Sequence, residues 1–344
     1  MRKILIGAGG TGGHLLPAQQ LGTLLSQNAK VAFAGFRLEE SPYFSRENFE
    51  YIEIPSAPFK IGQWKCLGSL IKGFFKAFFY LKKEKPNYVF GFGSYHTAPL
   101  LLAAAILKIP IVLYEANRTL GRVNRWIAPF AKKIAVQFPL KTPHSKSVLV
   151  PLFPWILSEK KGQTKKDAKK TYGLDPEKPT ILVFGGSQGA SYLNEMVPLA
   201  ADFLKDWQFL HLAGSEGGAE KTELRYQKSS ASALVKSFET DMTLAYKAAD
   251  VVICRSGAGT IAELISCQLP ALLIPYPFAT DDHQKINAEF FESLGGGKMV
   301  IQTDATVERL AREIQNIDLE NCKAALKEYL KLRKDETPIE KVVE

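Results

Sequence analysis

Arg255-Ser256-Gly257-Ala258-Gly259-Thr260 separates an apolar run, Val251-Val252-Ile253-Cys254, from a helix-forming segment that carries Glu263. Small residues between a buried strand and a helix let backbone N–H groups approach an anion, and the helix dipole favours negative charge there. That is the chemistry of a phosphate seat. Glu263 falls on the first turns of the same helix, where a carboxylate can take two hydroxyls of a ribose. Gln284 starts a neighbouring helix after the polar turn Thr280-Asp281-Asp282-His283. These groups together suit a nucleoside diphosphate joined to a hydroxyl-rich group. The plainer reading is tight-turn chemistry alone, so context must decide.

Three further glycine-rich turns supply that context. Gly7-Ala8-Gly9-Gly10-Thr11-Gly12-Gly13-His14 satisfies the dinucleotide spacing, but the second strand ends in Gly35-Phe36-Arg37. A nicotinamide site wants an acidic residue there, so that cofactor is disfavoured and none is expected. Gly91-Phe92-Gly93-Ser94-Tyr95-His96 and Gly185-Gly186-Ser187-Gln188-Gly189-Ala190 are the other two. Glu115-Ala116-Asn117-Arg118 ends a strand at its carboxyl edge, where open α/β sheets bind ligands. An imidazole ordinarily titrates near neutral pH, and His14 opens a helix, which makes it the candidate general base; a helix cap is its plainer role. Glu115 is the alternative base. There is no Asp-x-Asp, Asp281-Asp282 suit a helix cap, and His96, His144 and His211 share no ligand spacing, so no metal is called for.

The elements that position these groups alternate strand and helix along all 344 residues. That pattern predicts two parallel-sheet domains facing each other across a cleft. The boundary is placed at Pro154, giving 1–154 and 155–344, with the last helix a candidate to return to the first domain. Hydrophobic content of 46% and charged content of 23% suit two packed cores. A formal charge of +9 suits an anionic partner. Cys66, Cys254, Cys267 and Cys322 lie far apart and read as reduced thiols. The apolar run after Lys3 ends at Gly7, too early for a signal peptide, and no stretch approaches the roughly 20 apolar residues of a membrane span. Leu67, Leu70, Ile71, Phe74, Phe75 and Phe78 follow helical spacing and read as a core-facing stripe. Phe59, Phe79 and Tyr80 lie off it, among Lys60, Lys72, Lys76, Lys82 and Lys83, as at an interface with anionic lipid.

The turn at Gly9–His14, the turn at Gly185–Ala190, the run Cys254 to Glu263 and Asp281-Asp282-His283-Gln284-Lys285-Ile286-Asn287-Ala288, in that order, resemble the MurG family of glycosyltransferases, family 28. The resemblance covers nearly the whole chain. It implies a GT-B fold of two Rossmann-like domains, the first for acceptor and membrane, the second for the UDP-sugar. It further implies inverting transfer of N-acetylglucosamine from UDP-N-acetylglucosamine to the muramyl 4-hydroxyl of lipid I, giving lipid II. The family's donor-binding positions fall on Thr11, Gly12, Gly13, Asn117, Ser187, Ala258, Gly259, Thr260, Ile261, Ala262, Glu263 and Gln284. Glu263 would hold the ribose, Gln284 the sugar, and Ser187 with the helix from Ala258 the diphosphate.

Gly93, Ser94 and Tyr95 would seat the acceptor diphosphate. The implied location is peripheral, on the cytoplasmic face of the bacterial inner membrane, with cell-wall synthesis proteins as possible partners and no nucleic acid. Two positions depart from the family: Ile156 stands where an interdomain arginine is usual, and Glu115-Ala116-Asn117 replaces Glu-Gln-Asn. Arg118 and Arg255 are the candidates to supply the missing cation. Rival readings are a transferase on another lipid, a UDP-N-acetylglucosamine 2-epimerase and a non-catalytic UDP-sugar sensor.

Overall fold

The computed structural model describes residues 1–10, 12–58, 64–152, 163–186 and 190–343. The chain divides into two units, Met1–Phe153 with Asp335–Glu344, and Pro154–Lys334.

The first unit runs β1 (Arg2–Gly7), α1 (Gly12–Leu25), β2 (Ala29–Gly35), β3 (Glu50–Glu53), α2 (Trp64–Glu84), β4 (Tyr88–Gly91), α3 (Ala98–Ile106), β5 (Ile111–Glu115), α4 (Arg122–Ile127), β6 (Lys133–Val136) and β7 (Ser147–Leu149). Its seven strands are parallel in the order β3-β2-β1-β4-β5-β6-β7. Runs such as Ile111-Val112-Leu113-Tyr114, buried throughout, make such a sheet because helices cover both faces. One face packs on α1 and the C-terminal turn at Ile339 and Val342; the other packs on α2, α3 and α4. Winding reverses between β1 and β4, and Gly7 pairs with Gly91 at their ends. The loops after these strands therefore open side by side at the switch point of the sheet, the usual ligand edge.

Helix α2 corrects the sequence reading of its faces. Gly73, Ala77 and Leu81 are buried, with Leu70, Phe74 and Phe78 half-buried beside them, whereas Leu67, Ile71 and Phe75 point outward. A Cβ on Gly73 would lie 1.8 Å from the Pro55 carbonyl oxygen, so the small residues fix which face meets the sheet. Phe79 continues the outward row at 64% exposure, and Tyr80 is half-buried. Phe59 and Lys60 lie outside the described residues.

The second unit runs α5 (Lys165–Thr171), β8 (Thr180–Phe184), α6 (Ser191–Ala200), β9 (Gln208–Leu212), α7 (Glu216–Tyr226), β10 (Ser232–Lys236), α8 (Met242–Ala248), β11 (Val251–Cys254), α9 (Ala258–Ser266), β12 (Ala271–Leu273), α10 (His283–Ser293), β13 (Gly297–Met299), α11 (Val307–Gln315) and α12 (Leu319–Leu332). Six parallel strands lie in the order β10-β9-β8-β11-β12-β13. The reversal falls between β8 and β11, which places the turns at Gly185 and Arg255 next to each other. At the opposite edge Asp250 takes Lys165 at 2.7 Å and buried Lys169 at 2.8 Å, which ties α5 to the sheet. The architecture is that of two Rossmann-like domains, as the alternation of elements predicts.

Candidate active site

In the first unit His14 sits on the first turn of α1, and its Nδ1 lies 2.8 Å from the Phe92 carbonyl oxygen. A carbonyl only accepts, so Nδ1 carries the hydrogen and the neutral ring keeps its basic lone pair on Nε2. The glycines before it are required by His96. A Cβ on Gly9 would meet the His96 Cβ at 2.7 Å, and Gly10 adopts φ +90° against the same ring. His96 stacks on Tyr95 and bonds Ser94 Oγ through Nδ1 at 2.7 Å. Burial, then the nearby His14 and Arg37 charges, lowers its pKa to about 4, so it stays neutral.

Gly93 and Ser94 both have positive φ, +70° and +65°. Positive φ at both positions turns the chain sharply between β4 and the helical turn at Tyr95. Tyr95 belongs to the same loop, and its carbonyl accepts from Ser56 Oγ at 2.6 Å. Gly12 is buried and Gly13 exposed at the start of α1; Thr11 lies outside the described residues.

Glu115 is placed differently from what a base requires. Buried at the end of β5, it accepts at Oε1 from the Asn117 backbone and Nδ2, both at 3.1 Å. At Oε2 it accepts from Gly121 N at 2.8 Å and Asn124 Nδ2 at 2.9 Å. Four N–H donors make this carboxylate the organiser of the loop after β5. Taking a proton from a hydroxyl would mean giving up bonds to a buried charge, which is costly. Asn124 was not singled out by sequence reasoning. It lies nine residues beyond Glu115, and its buried amide also donates to the Tyr114 carbonyl beside Gly93. Only the fold brings them together.

In the second unit α9 starts at Ala258 with Gly257 at its N-cap and no side-chain cap. Ala258, Gly259 and Thr260 form its first turn, the end at which the helix dipole favours an anion. Among the described residues, a Cβ on Gly259 or Gly186 would meet nothing within 4 Å. Ser187, Gln188 and Gly189 lie outside the described residues. Ile261 and Ala262 are buried on the core face of α9, so any ligand contact there is through the backbone. Glu263, one turn on, accepts from the Tyr246 hydroxyl at 2.6 Å.

Gln284 opens α10; its Oε1 accepts from Tyr276 N at 2.9 Å, which leaves the amide NH2 as its donating edge. Its carbonyl accepts from Ser256 Oγ at 2.8 Å, and Asn287 Nδ2 donates to the Ser256 carbonyl at 3.2 Å. These two bonds join the turn after β11 to the start of α10. Asp281 and Asp282 both adopt left-handed φ of 52°, and no side-chain bond from Asp282 caps the helix, contrary to the capping expectation.

Of the two arginines named as substitute cations, Arg255 has its guanidinium committed to protein partners. Arg255 is buried, donating from Nη1 to the carbonyls of Ile274 at 3.0 Å and Pro275 at 3.2 Å and from Nη2 to Gln302 at 2.7 Å, with its guanidinium over the Tyr276 ring. Arg118 donates from Nε to the Pro139 carbonyl. Ile156 lies outside the described residues.

Residues 4–136 match the glycosyltransferase family 28 N-terminal domain and residues 180–339 the family 28 C-terminal domain. A protein of Protochlamydia amoebophila, 38% identical over 98% of this chain and 94% of its own length, is named UDP-N-acetylglucosamine--N-acetylmuramyl-(pentapeptide) pyrophosphoryl-undecaprenol N-acetylglucosamine transferase. A protein of Hydrogenovibrio crunogenus with the same name is 36% identical over 92% of this chain and 89% of its own. Among solved structures, MurG of Acinetobacter baumannii superposes with a TM-score of 0.76 at 29% identity, covering 100% of this chain and 98% of that one. A kitacinnamycin glycosyltransferase shares the fold alone, with a TM-score of 0.69 at 15% identity, over 96% of this chain and 94% of its own.

Proposed function

The chain belongs to glycosyltransferase family 28, and from that premise we propose that it moves N-acetylglucosamine from UDP-N-acetylglucosamine to the muramyl 4-hydroxyl of an undecaprenyl-diphosphate-linked muramyl pentapeptide. The observation that carries this reading is that each parallel sheet ends, at its switch point, in glycine-rich turns that lead into helices. The substrates to be recognised are likewise two, each with a diphosphate.

In the second unit, the first-turn N–H groups at Ala258, Gly259 and Thr260 take the donor diphosphate, Glu263 the ribose diol and Gln284 the sugar. Ser187 belongs to the same proposal by its place in the family motif. In the first unit, Gly93, Ser94 and Tyr95 take the acceptor diphosphate beside the loop of Gly12 and Gly13. Thr11 and Asn117 are assigned to the donor by the family motif.

The reaction needs a base and a stabilised leaving group. Nε2 of His14 accepts the proton of the acceptor hydroxyl as that oxygen bonds the anomeric carbon. The bond to the diphosphate breaks on the opposite face, its electron pair leaves with UDP, and the configuration inverts. Charge developing on the departing phosphate is met by the dipole and N–H groups of α9.

Leu67, Ile71, Phe75 and Phe79 form an exposed row on α2, flanked by exposed Lys72, Lys76, Lys82 and Lys83. Apolar side chains bordered by cations suit an anionic lipid surface. Among the described residues no helix is long and apolar enough to cross a membrane. The row supports peripheral attachment to the cytoplasmic face of the bacterial inner membrane, where a lipid-linked acceptor lies.

Calorimetry with UDP-N-acetylglucosamine tests the donor assignment. Binding should weaken at least tenfold in Glu263→Ala; unchanged affinity would remove Glu263 from the donor site.

A further inference from the structure

Tyr246 is buried on α8, and its hydroxyl lies 2.6 Å from Glu263 Oε2. The ring of Phe184, the last residue of β8, meets it edge-on with centroids 5.9 Å apart. A hydroxyl in such a place must have a partner, because an unsatisfied buried donor is costly. Burial, and then the Glu263 charge, raises the phenol pKa well above its ordinary value, so the group stays protonated and donates. We propose that Tyr246 is a positioning residue that holds the Glu263 carboxylate in the rotamer that receives the ribose diol. The inference rests on the reading of Glu263 as the ribose-binding group.

A glutamate on a helix surface samples several rotamers, and fixing a long side chain at the moment of binding costs conformational entropy. The Tyr246 hydroxyl fixes Glu263 beforehand. A carboxylate carries lone pairs on both oxygens, so one that accepts from a tyrosine hydroxyl can also accept from two vicinal hydroxyls. The contact also works in reverse. If Glu263 swung away, the Tyr246 hydroxyl would lose its acceptor within the core, so the two residues hold each other. Tyr246 precedes β11 and Glu263 follows it, so the strand that leads to the phosphate seat also sets the register of this pair.

The test compares UDP with 2′-deoxy-UDP by calorimetry on the full chain. The wild type should prefer UDP. In Tyr246→Phe, UDP should bind about tenfold more weakly, the scale of one hydrogen bond to a charged group, while 2′-deoxy-UDP, which offers Glu263 only its 3′-hydroxyl, should weaken by less. In turnover the same variant should raise the donor KM and leave kcat near the wild-type value. The double variant Tyr246→Phe/Glu263→Gln should bind UDP no worse than Glu263→Gln alone, as expected if Tyr246 acts through Glu263. Thermal unfolding of each variant separates these effects from lost folding. A Tyr246→Phe protein that keeps the full preference for UDP, or that loses both nucleotides equally, would overturn the positioning role. A wild type indifferent to the 2′-hydroxyl would instead contradict the ribose reading itself, and the positioning role would fall with it.

Discussion

His14 Nδ1 is held 2.8 Å from the carbonyl oxygen of Phe92, a residue of the neighbouring switch-point loop. The contact joins the two loops of the first sheet and assigns the ring tautomer together. His14→Asn can keep a donor toward that carbonyl and lacks a base. Such a variant should lose about 10²- to 10⁴-fold in kcat, the usual contribution of a positioned proton acceptor. Its donor KM should stay near wild type. Steady-state kinetics decides: kcat within twofold of wild type would mean that His14 only caps or ties the loops.

Glu115 makes the contrasting case. With four N–H donors on its two oxygens, Glu115→Gln replaces one acceptor by an NH2 that faces donors. A loss of stability of about 2 to 4 kcal/mol is expected, in the range for a disrupted buried network. Denaturant unfolding measures it. An unfolding midpoint equal to wild type, combined with lost turnover, would restore Glu115 as a candidate base.

The outward row of α2 gives a test at the membrane. Phe75→Glu/Phe79→Glu places two negative charges on an exposed face and should abolish flotation with anionic vesicles at low ionic strength. Turnover of a water-soluble acceptor should be retained. Vesicle binding unchanged by these substitutions would exclude this face as the attachment site.

Sequence periodicity located α2 but not its orientation. Aromatic residues occupy more than one side of the helix, so the spacing of large apolar residues is satisfied by several faces. The decision rests with Gly73 and Ala77, whose small side chains admit the close approach near Pro55. Helix α7 escaped notice because Gly217-Gly218 occupy its first turn and Thr222 and Tyr226 are its buried residues. The parallel sheets were legible from continuous apolar strands, and the candidate site from its glycines and from Glu263. The partners of the site carboxylates were not. Asn124 for Glu115 and Tyr246 for Glu263 sit on separate elements, and no local pattern joins them before the chain folds.

Stability should depend on pH through two buried imidazoles. Burial lowers His211 to about 3 and, with the His14 and Arg37 charges second to it, His96 to about 4, against an ordinary 6.5. Between about pH 6.5 and 4 the unfolded chain therefore binds more protons at these sites than the folded one. Stability should fall as pH drops through that window, by up to about 1.4 kcal/mol per pH unit for each group. Below pH 4 the His96 contribution levels off while that of His211 continues to about 3. The slope of unfolding free energy against pH, compared between wild type and His211→Gln, measures this; equal slopes would refute the assignment to His211.

The central claim is sugar transfer from a UDP donor to a lipid-linked acceptor, and the most direct measurement follows radiolabelled N-acetylglucosamine from UDP-N-acetylglucosamine into the lipid fraction. With purified protein and an undecaprenyl-diphosphate-linked muramyl-pentapeptide analogue, label should enter the lipid, with one UDP released per sugar transferred. Omission of the acceptor should stop both. UDP release that continues without acceptor, or donor binding with no label in the lipid, would contradict the account.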